Sequence, residues 1–188
     1  MSPAPPRRSR LAAIVAGLER VNAALGRAVG VLVLAMVLLQ FTVVLLRYLF
    51  GFSHMMLQEG VLYMHAFLFM LAAGYTLLID GHVRVDVLYG RLGPRGKAWI
   101  DLVGGLVLLM PPLVVLAYYS WPSVRNSWSV LEGAISVGGI PASFLLKTLV
   151  PAFCLVVGLQ GVAMILRAGH LALTGTPLPE RTAAGALR

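Results

Sequence analysis

Apolar residues fill four windows of this chain almost without interruption, and polar residues collect between them. The windows run from about residue 28 to 46, 61 to 79, 99 to 120 and 142 to 166. Each is close to the roughly 20 apolar residues that a helix needs to cross a bilayer. Each is also too long for a buried strand, and backbone inside lipid must satisfy its own hydrogen bonds. The pattern predicts an all-α membrane protein with four transmembrane helices. Upstream of the first window, Leu11, Ile14, Leu18, Val21 and Leu25 recur at spacings of three and four, with Arg10, Arg20 and Arg27 toward the opposite side. Residues 10–27 therefore read as an amphipathic helix lying in the headgroup layer. Residues 1–9 read as a disordered basic start and 171–188 as a flexible tail. The four-helix membrane domain spans residues 28–170.

Charge fixes the expected orientation. Twelve of the Lys and Arg residues fall in the N-terminal segment, the loop after the second window and the tail after the fourth. Only Arg47, Arg125 and Lys147 fall on the opposite side. Basic residues stay cytoplasmic, so both termini and the 80–98 loop are expected inside, and the 47–58 and 121–141 loops outside. An even number of spans requires the same parity. The first apolar run is about 19 residues, longer than the 7–15 of a signal peptide's core, so cleavage is not expected.

Composition agrees with this reading. The chain of 188 residues is 59% hydrophobic and 12% charged, about half the charge of soluble domains, with a mean hydropathy of +0.88. The net charge of +8 is accounted for by the cytoplasmic bias and does not call for nucleic acid. Cys154 is the single cysteine, so no internal disulfide can form, and no ligand spacing for a metal accompanies it.

Few residues carry chemistry. Gln40 and Gln160 sit within spans, where lone amides more often join helices than bind substrate. His65 lies about a third of the way into the second span, Asp101 near the cytoplasmic end of the third and Lys147 near the outer end of the fourth, from which it can reach the interface. Arg47 and Glu59 flank the first hairpin and are candidates to pair across it. Pro111, Pro112 and Pro151 are expected to bend their helices. Glycines 104, 105, 158 and 161 are expected to allow close helix contact. His54, His65, His82 and His170 do not share a mid-membrane level on two spans, as a haem would need. No phosphate loop, nucleophile elbow or zinc-protease motif is present. No catalytic residue, cofactor or metal site is expected.

The segment DGHVRVDVLYGR, residues 80–91, stands out among the loops. In a helix His82 and Asp86 are four apart and share a face, and in an extended chain His82, Arg84 and Asp86 share one face and Val83, Val85 and Val87 the other, so the segment is amphipathic either way. That alternation is more than positive charge alone requires. DGHVRVDVLYGRLGPRGKAWIDL (80–102) resembles the hallmark of the small membrane subunit, the Q subunit, of tripartite ATP-independent periplasmic (TRAP) transporters. RYLFGFSHMMLQEGVLYMHAFLFMLAAGYTLL (47–78) is similar to that family's Arg-Tyr turn, the Glu that opens its second span and the aromatic-rich span itself. Glu132, Gly138-Gly139-Ile140-Pro141, Lys147, Pro151 and Leu159-Gln160-Gly161 resemble the end of the branch bearing His-Val-Arg-Val-Asp.

The resemblance implies a non-enzymatic subunit in the bacterial inner membrane. Its implied partners are a large multi-span membrane subunit, a periplasmic binding protein and membrane lipids. The implied role is to brace the large subunit and help dock the binding protein during sodium-coupled uptake of an organic acid. Arg47, Glu59, Arg125 and Glu132 would then face the periplasm, and His82, Arg84 and Asp86 would anchor the cytoplasmic loop to the large subunit or to headgroups. Lys147 and Gln160 are the remaining interface candidates. An accessory subunit of another membrane complex, such as a respiratory one, and a small four-span exporter stay open as alternatives.

Overall fold

The computed structural model describes residues 10–82 and 89–179. Among these the regular structure is entirely helical: α1 (Arg10–Phe50), α2 (Met55–Leu78), α3 (Pro94–Val103), a π-helical turn (Gly104–Leu109), α4 (Met110–Ser129) and α5 (Ser143–Thr174). The third span joins α3, the π turn and α4 into 36 continuous helical residues, so four helices are long and apolar enough to cross a membrane. One end of the bundle carries the loops 51–54 and 130–142 and is called the hairpin end. The other carries residues 79–93 and both described chain ends and is called the tail end.

The helices outrun the apolar windows because backbone hydrogen bonding does not stop where hydrocarbon does. The expected division between an interfacial helix at 10–27 and a span at 28–46 is not marked by a break, since α1 runs through it for 41 residues. At 1.5 Å per residue that is about 60 Å, twice the hydrocarbon thickness. The face of α1 that packs inward is not centred on the apolar stripe assigned to the headgroup layer. Ala12, Val15, Glu19, Asn22 and Ala23 are buried, while Ile14 and Val21 are exposed. Likewise α5 continues to Thr174, four residues into the expected tail, and ends on Gly175 in a left-handed conformation (φ 74°). Residues 1–9, 83–88 and 180–188 lie outside the described residues, and with them Arg84, Asp86 and the expected disordered start.

The consecutive prolines explain the π turn. Pro111 and Pro112 lack an N–H, and their rings would strike the carbonyls of Val107 and Leu108 in a regular α-helix. Widening Gly104–Leu109 to π geometry moves those carbonyls aside, so the third span absorbs the prolines in one wide turn. Pro122 and Pro151 lie inside α4 and α5. Of the four glycines expected at contacts, two are there. A Cβ on Gly105 would meet Ile165 at 2.6 Å, and one on Gly161 would meet Met110 and Leu109, whereas Gly104 and Gly158 face open space.

Helix α5 is the hub and touches all the other helical segments. Leu113, Cys154 and Val157 form a buried cluster with Ala73, Leu77 and Leu109 against it. Toward the tail end α1, α2 and α5 meet at one point, where Gly74 of α2 lies under Asn22 of α1 and Val156 of α5. A side chain at Gly74 would collide with both, including the Val156 carbonyl at 2.8 Å. Gly74→Val is therefore expected to cost about 1–3 kcal/mol through overpacking, read as a lowered thermal midpoint of the purified chain in mild detergent. Gly30→Ala, with nothing within 4 Å of the added methyl, should hold or raise the midpoint by its helix propensity.

Candidate functional site

At the hairpin end the chain builds a clamped loop. Glu59, in the second turn of α2, is 6% exposed. Its carboxylate accepts the backbone N–H of Ser136 at 3.2 Å and of Ile140 at 2.6 Å. Tyr63, one turn on, donates its hydroxyl to the Ile140 carbonyl at 3.5 Å. Loop amides that leave water need an acceptor, and one carboxylate supplies two. The fit is tight, because any Cβ at Gly139 would overlap the Glu59 carboxyl group. The expected Arg47–Glu59 pairing is not made. Arg47 instead reaches Ser53 at 3.5 Å, and Gln58 donates to the same hydroxyl at 2.8 Å.

The start of the same loop is held from α4 and α5. Helix α4 closes with Leu131 in the left-handed region (φ 45°), and the N–H of Glu132 bonds the Ser127 carbonyl at 3.0 Å. That turn returns the Glu132 carboxylate to accept from the Ser127 hydroxyl and from Lys147. Lys147 thus ends on a carboxylate rather than reaching outward alone. Ser143 donates to the Gly133 carbonyl. Trp128 donates to the Thr148 hydroxyl at 2.8 Å and lies edge-on to Phe144, with ring centroids 4.7 Å apart. So fastened, residues 130–142 turn Val130, Leu131, Ile135 and the wholly exposed Val137 to the surroundings. Arg125, exposed on α4, lines a shallow hollow with Trp121 and Ser129.

At the tail end a second set of polar groups is sealed inside. Glu19 is fully buried and takes a two-pronged contact from Arg167, Nε to Oε1 at 2.6 Å and one terminal nitrogen to Oε2 at 2.9 Å. The remaining guanidinium nitrogen donates to the Pro179 carbonyl at 2.6 Å, drawing the chain after α5 back onto that helix. One turn along, Asn22 donates to Gln160 at 3.3 Å. Gln160 therefore joins helices as expected. Glu19, Asn22 and Arg167 were not among the expected site residues. The available signal was that Glu19 is the only acid before Glu59, three residues from Asn22 and so on the same helical face. Nearby, Tyr89 donates to Asp101 at 3.0 Å and Lys97 sits over the Tyr89 ring. His82 is exposed where the 83–88 segment begins.

A third feature lies between α1 and α2 toward the hairpin end. A laterally open hollow of about 740 Å³ is lined by Gln40, Arg47, Gln58, His65 and apolar neighbours. Among the described residues no three His, Cys, Asp or Glu side chains gather to hold a metal ion.

Two responses follow from this geometry. Removing one partner of a buried ion pair leaves the other unpaired, at about 3–5 kcal/mol. Glu19→Ala should therefore lower the thermal midpoint sharply, and joint replacement by Glu19→Leu and Arg167→Met should recover much of the loss. The Glu132 carboxyl is held below the usual carboxylate range, first by the Lys147 hydrogen bond and then by Ser127, with desolvation opposing both. A depressed folded-state value means its stabilisation is full above the ordinary range and lost as pH falls through the depressed value. The difference in midpoint between the native chain and Glu132→Gln should be present at neutral pH and vanish in acid.

Compared with known families, residues 36–170 match the family described as tripartite ATP-independent periplasmic transporters, DctQ component. No curated protein matches the chain, and no solved structure does.

Proposed function

We propose that this chain, which belongs to the DctQ component family of the tripartite ATP-independent periplasmic transporters, braces the large membrane subunit and docks the binding protein through its 130–142 loop. As a DctQ component it is the small permease subunit of a TRAP transporter, a multi-pass membrane protein. The reading adds both termini in the cytoplasm, the hairpin end in the periplasm and sodium-coupled uptake of an organic acid. The positive-inside bias and the resemblance carried by residues 47–78, 80–102 and 127–167 support it.

The observation that carries the docking role is the clamped loop. Glu59, Ser127 and Lys147 on Glu132, and Ser143 fasten residues 130–142 from three helices. A loop fixed in this way meets a partner with little ordering entropy left to lose. It also offers Leu131, Ile135 and Val137 at its surface, the apolar core that an interface with a polar rim uses. Glu59, being buried, acts by holding the loop. Arg125 remains available to the partner at the rim. In this scheme His82, Arg84 and Asp86 anchor the cytoplasmic face to the large subunit or to headgroups.

Val137→Asp leaves every clamp in place and puts a charge at the centre of the proposed contact. In vesicles reconstituted with the large subunit and binding protein, it should raise the binding-protein concentration for half-maximal organic-acid uptake by about tenfold or more, a change of about 1.4 kcal/mol. Co-purification of the two membrane subunits should not change. Uptake with an unaltered dependence on binding protein would remove this loop from the docking surface.

A further inference from the structure

We infer that the open groove between α1 and α2 is the seat of a transmembrane helix of the large subunit, recognised within the membrane by the side chains of Gln40 and His65. The inference rests on the proposed bracing role and specifies the surface that performs it. The two residues lie at matching depth. Gln40 comes 10 residues before Phe50, where α1 ends, and His65 comes 10 residues after Met55, where α2 begins. Each is about 15 Å from the hairpin end along its helix and about 6–9 Å inside the outer edge of its apolar window, within a hydrocarbon layer roughly 30 Å thick. Both line the same hollow and both are exposed. Among the described residues neither has a hydrogen-bond partner. His65 only stacks on Phe69, with ring centroids 6.3 Å apart.

Lipid cannot fill this place well. Acyl chains offer neither donors nor acceptors, and an unsatisfied amide or imidazole in hydrocarbon is costly. Elsewhere the chain largely follows that rule, since Glu19, Gln160 and the amide nitrogen of Asn22 meet polar partners, and only the Asn22 amide oxygen is buried without one among the described residues. Gln40 and His65 break it in the chain alone, so their partners come from outside. Arg47 stands at the rim of the groove on the same wall, held only by its 3.5 Å contact to Ser53. The complementary surface is thus a helix with a hydrogen-bonding side chain in the half of the membrane nearer the hairpin end and an acceptor, best an acid, near the interface. Exposed Val37, Val44 and Leu62 supply the apolar contact around these groups.

The test compares the native chain with a Gln40→Leu, His65→Leu double variant, each tagged and co-expressed with the large subunit. Neither side chain is hydrogen-bonded within the described chain, so the variant on its own should keep its thermal midpoint. Recovery of the large subunit with it should fall about tenfold. Undiminished recovery would overturn the groove assignment. A native chain that brings down no larger membrane protein would instead overturn the bracing role itself. A photo-crosslinking residue in place of His65 decides the occupant even where the double variant folds poorly. An adduct with the large subunit supports the inference. Adducts confined to phospholipid, or to a second copy of this chain, overturn it.

Discussion

A hydrocarbon layer supplies no hydrogen bonds, and the whole arrangement of this protein answers to that constraint. A buried carboxylate in water-soluble proteins is already expensive, and in lipid the alternative of exposure is worse. Glu19 can lie inside a helix that runs toward the membrane only because Arg167 meets both its oxygens. That contact in turn decides which face of α1 turns inward. Once Glu19 faces α5, Asn22 follows three residues later onto Gln160, and Gly74 must remain without a side chain beneath it. The first helix is thus positioned by its polar residues, and its larger apolar residues are left to face outward.

The same rule shapes the hairpin end, where the loop backbone rather than a side chain is the group in need. Residues 130–142 cannot form a ladder or helix of their own, so their amides use Glu59, and their first residues use Lys147 through Glu132. Helix α5 serves both ends. It carries Lys147 and Ser143 at one and Gln160 and Arg167 at the other, while its middle packs Cys154 and Val157 into the apolar cluster. A disturbance of α5 would therefore reach the loop and the first helix together.

The four spans were legible because twenty apolar residues in a row have few other uses. Their ends were not, since α1 and α5 continue as helix well past the hydrocarbon windows, where polar residues sustain a helix equally well. The inward face of α1 was not legible, for a sharper reason. Spacing of Leu11, Ile14, Leu18, Val21 and Leu25 marks a buried stripe only if apolar means inside. Where lipid is the surroundings, large apolar residues gain nothing by turning inward, and small or polar ones do. Ile14 and Val21 are accordingly exposed while Ala12, Ala23 and Asn22 are buried. Gln160 was legible as a joining residue because an amide in a span has few other roles. Glu59 was legible as a special position but not its partner. The nearest opposite charge in sequence, Arg47, is less suited to it than two backbone amides 77 and 81 residues away.

Polar groups in the described spans then separate into two kinds, and the separation is informative. Those toward the tail end and at the loop are met from within the chain, the Asn22 amide oxygen excepted. Gln40 and His65 are satisfied by nothing among the described residues and lie together on an open wall. A subunit that carried solute would be expected to turn its unsatisfied groups toward an enclosed path between its own helices. Here they point sideways, out of the bundle and into the plane of the membrane. That direction suits a surface that meets another protein within the membrane.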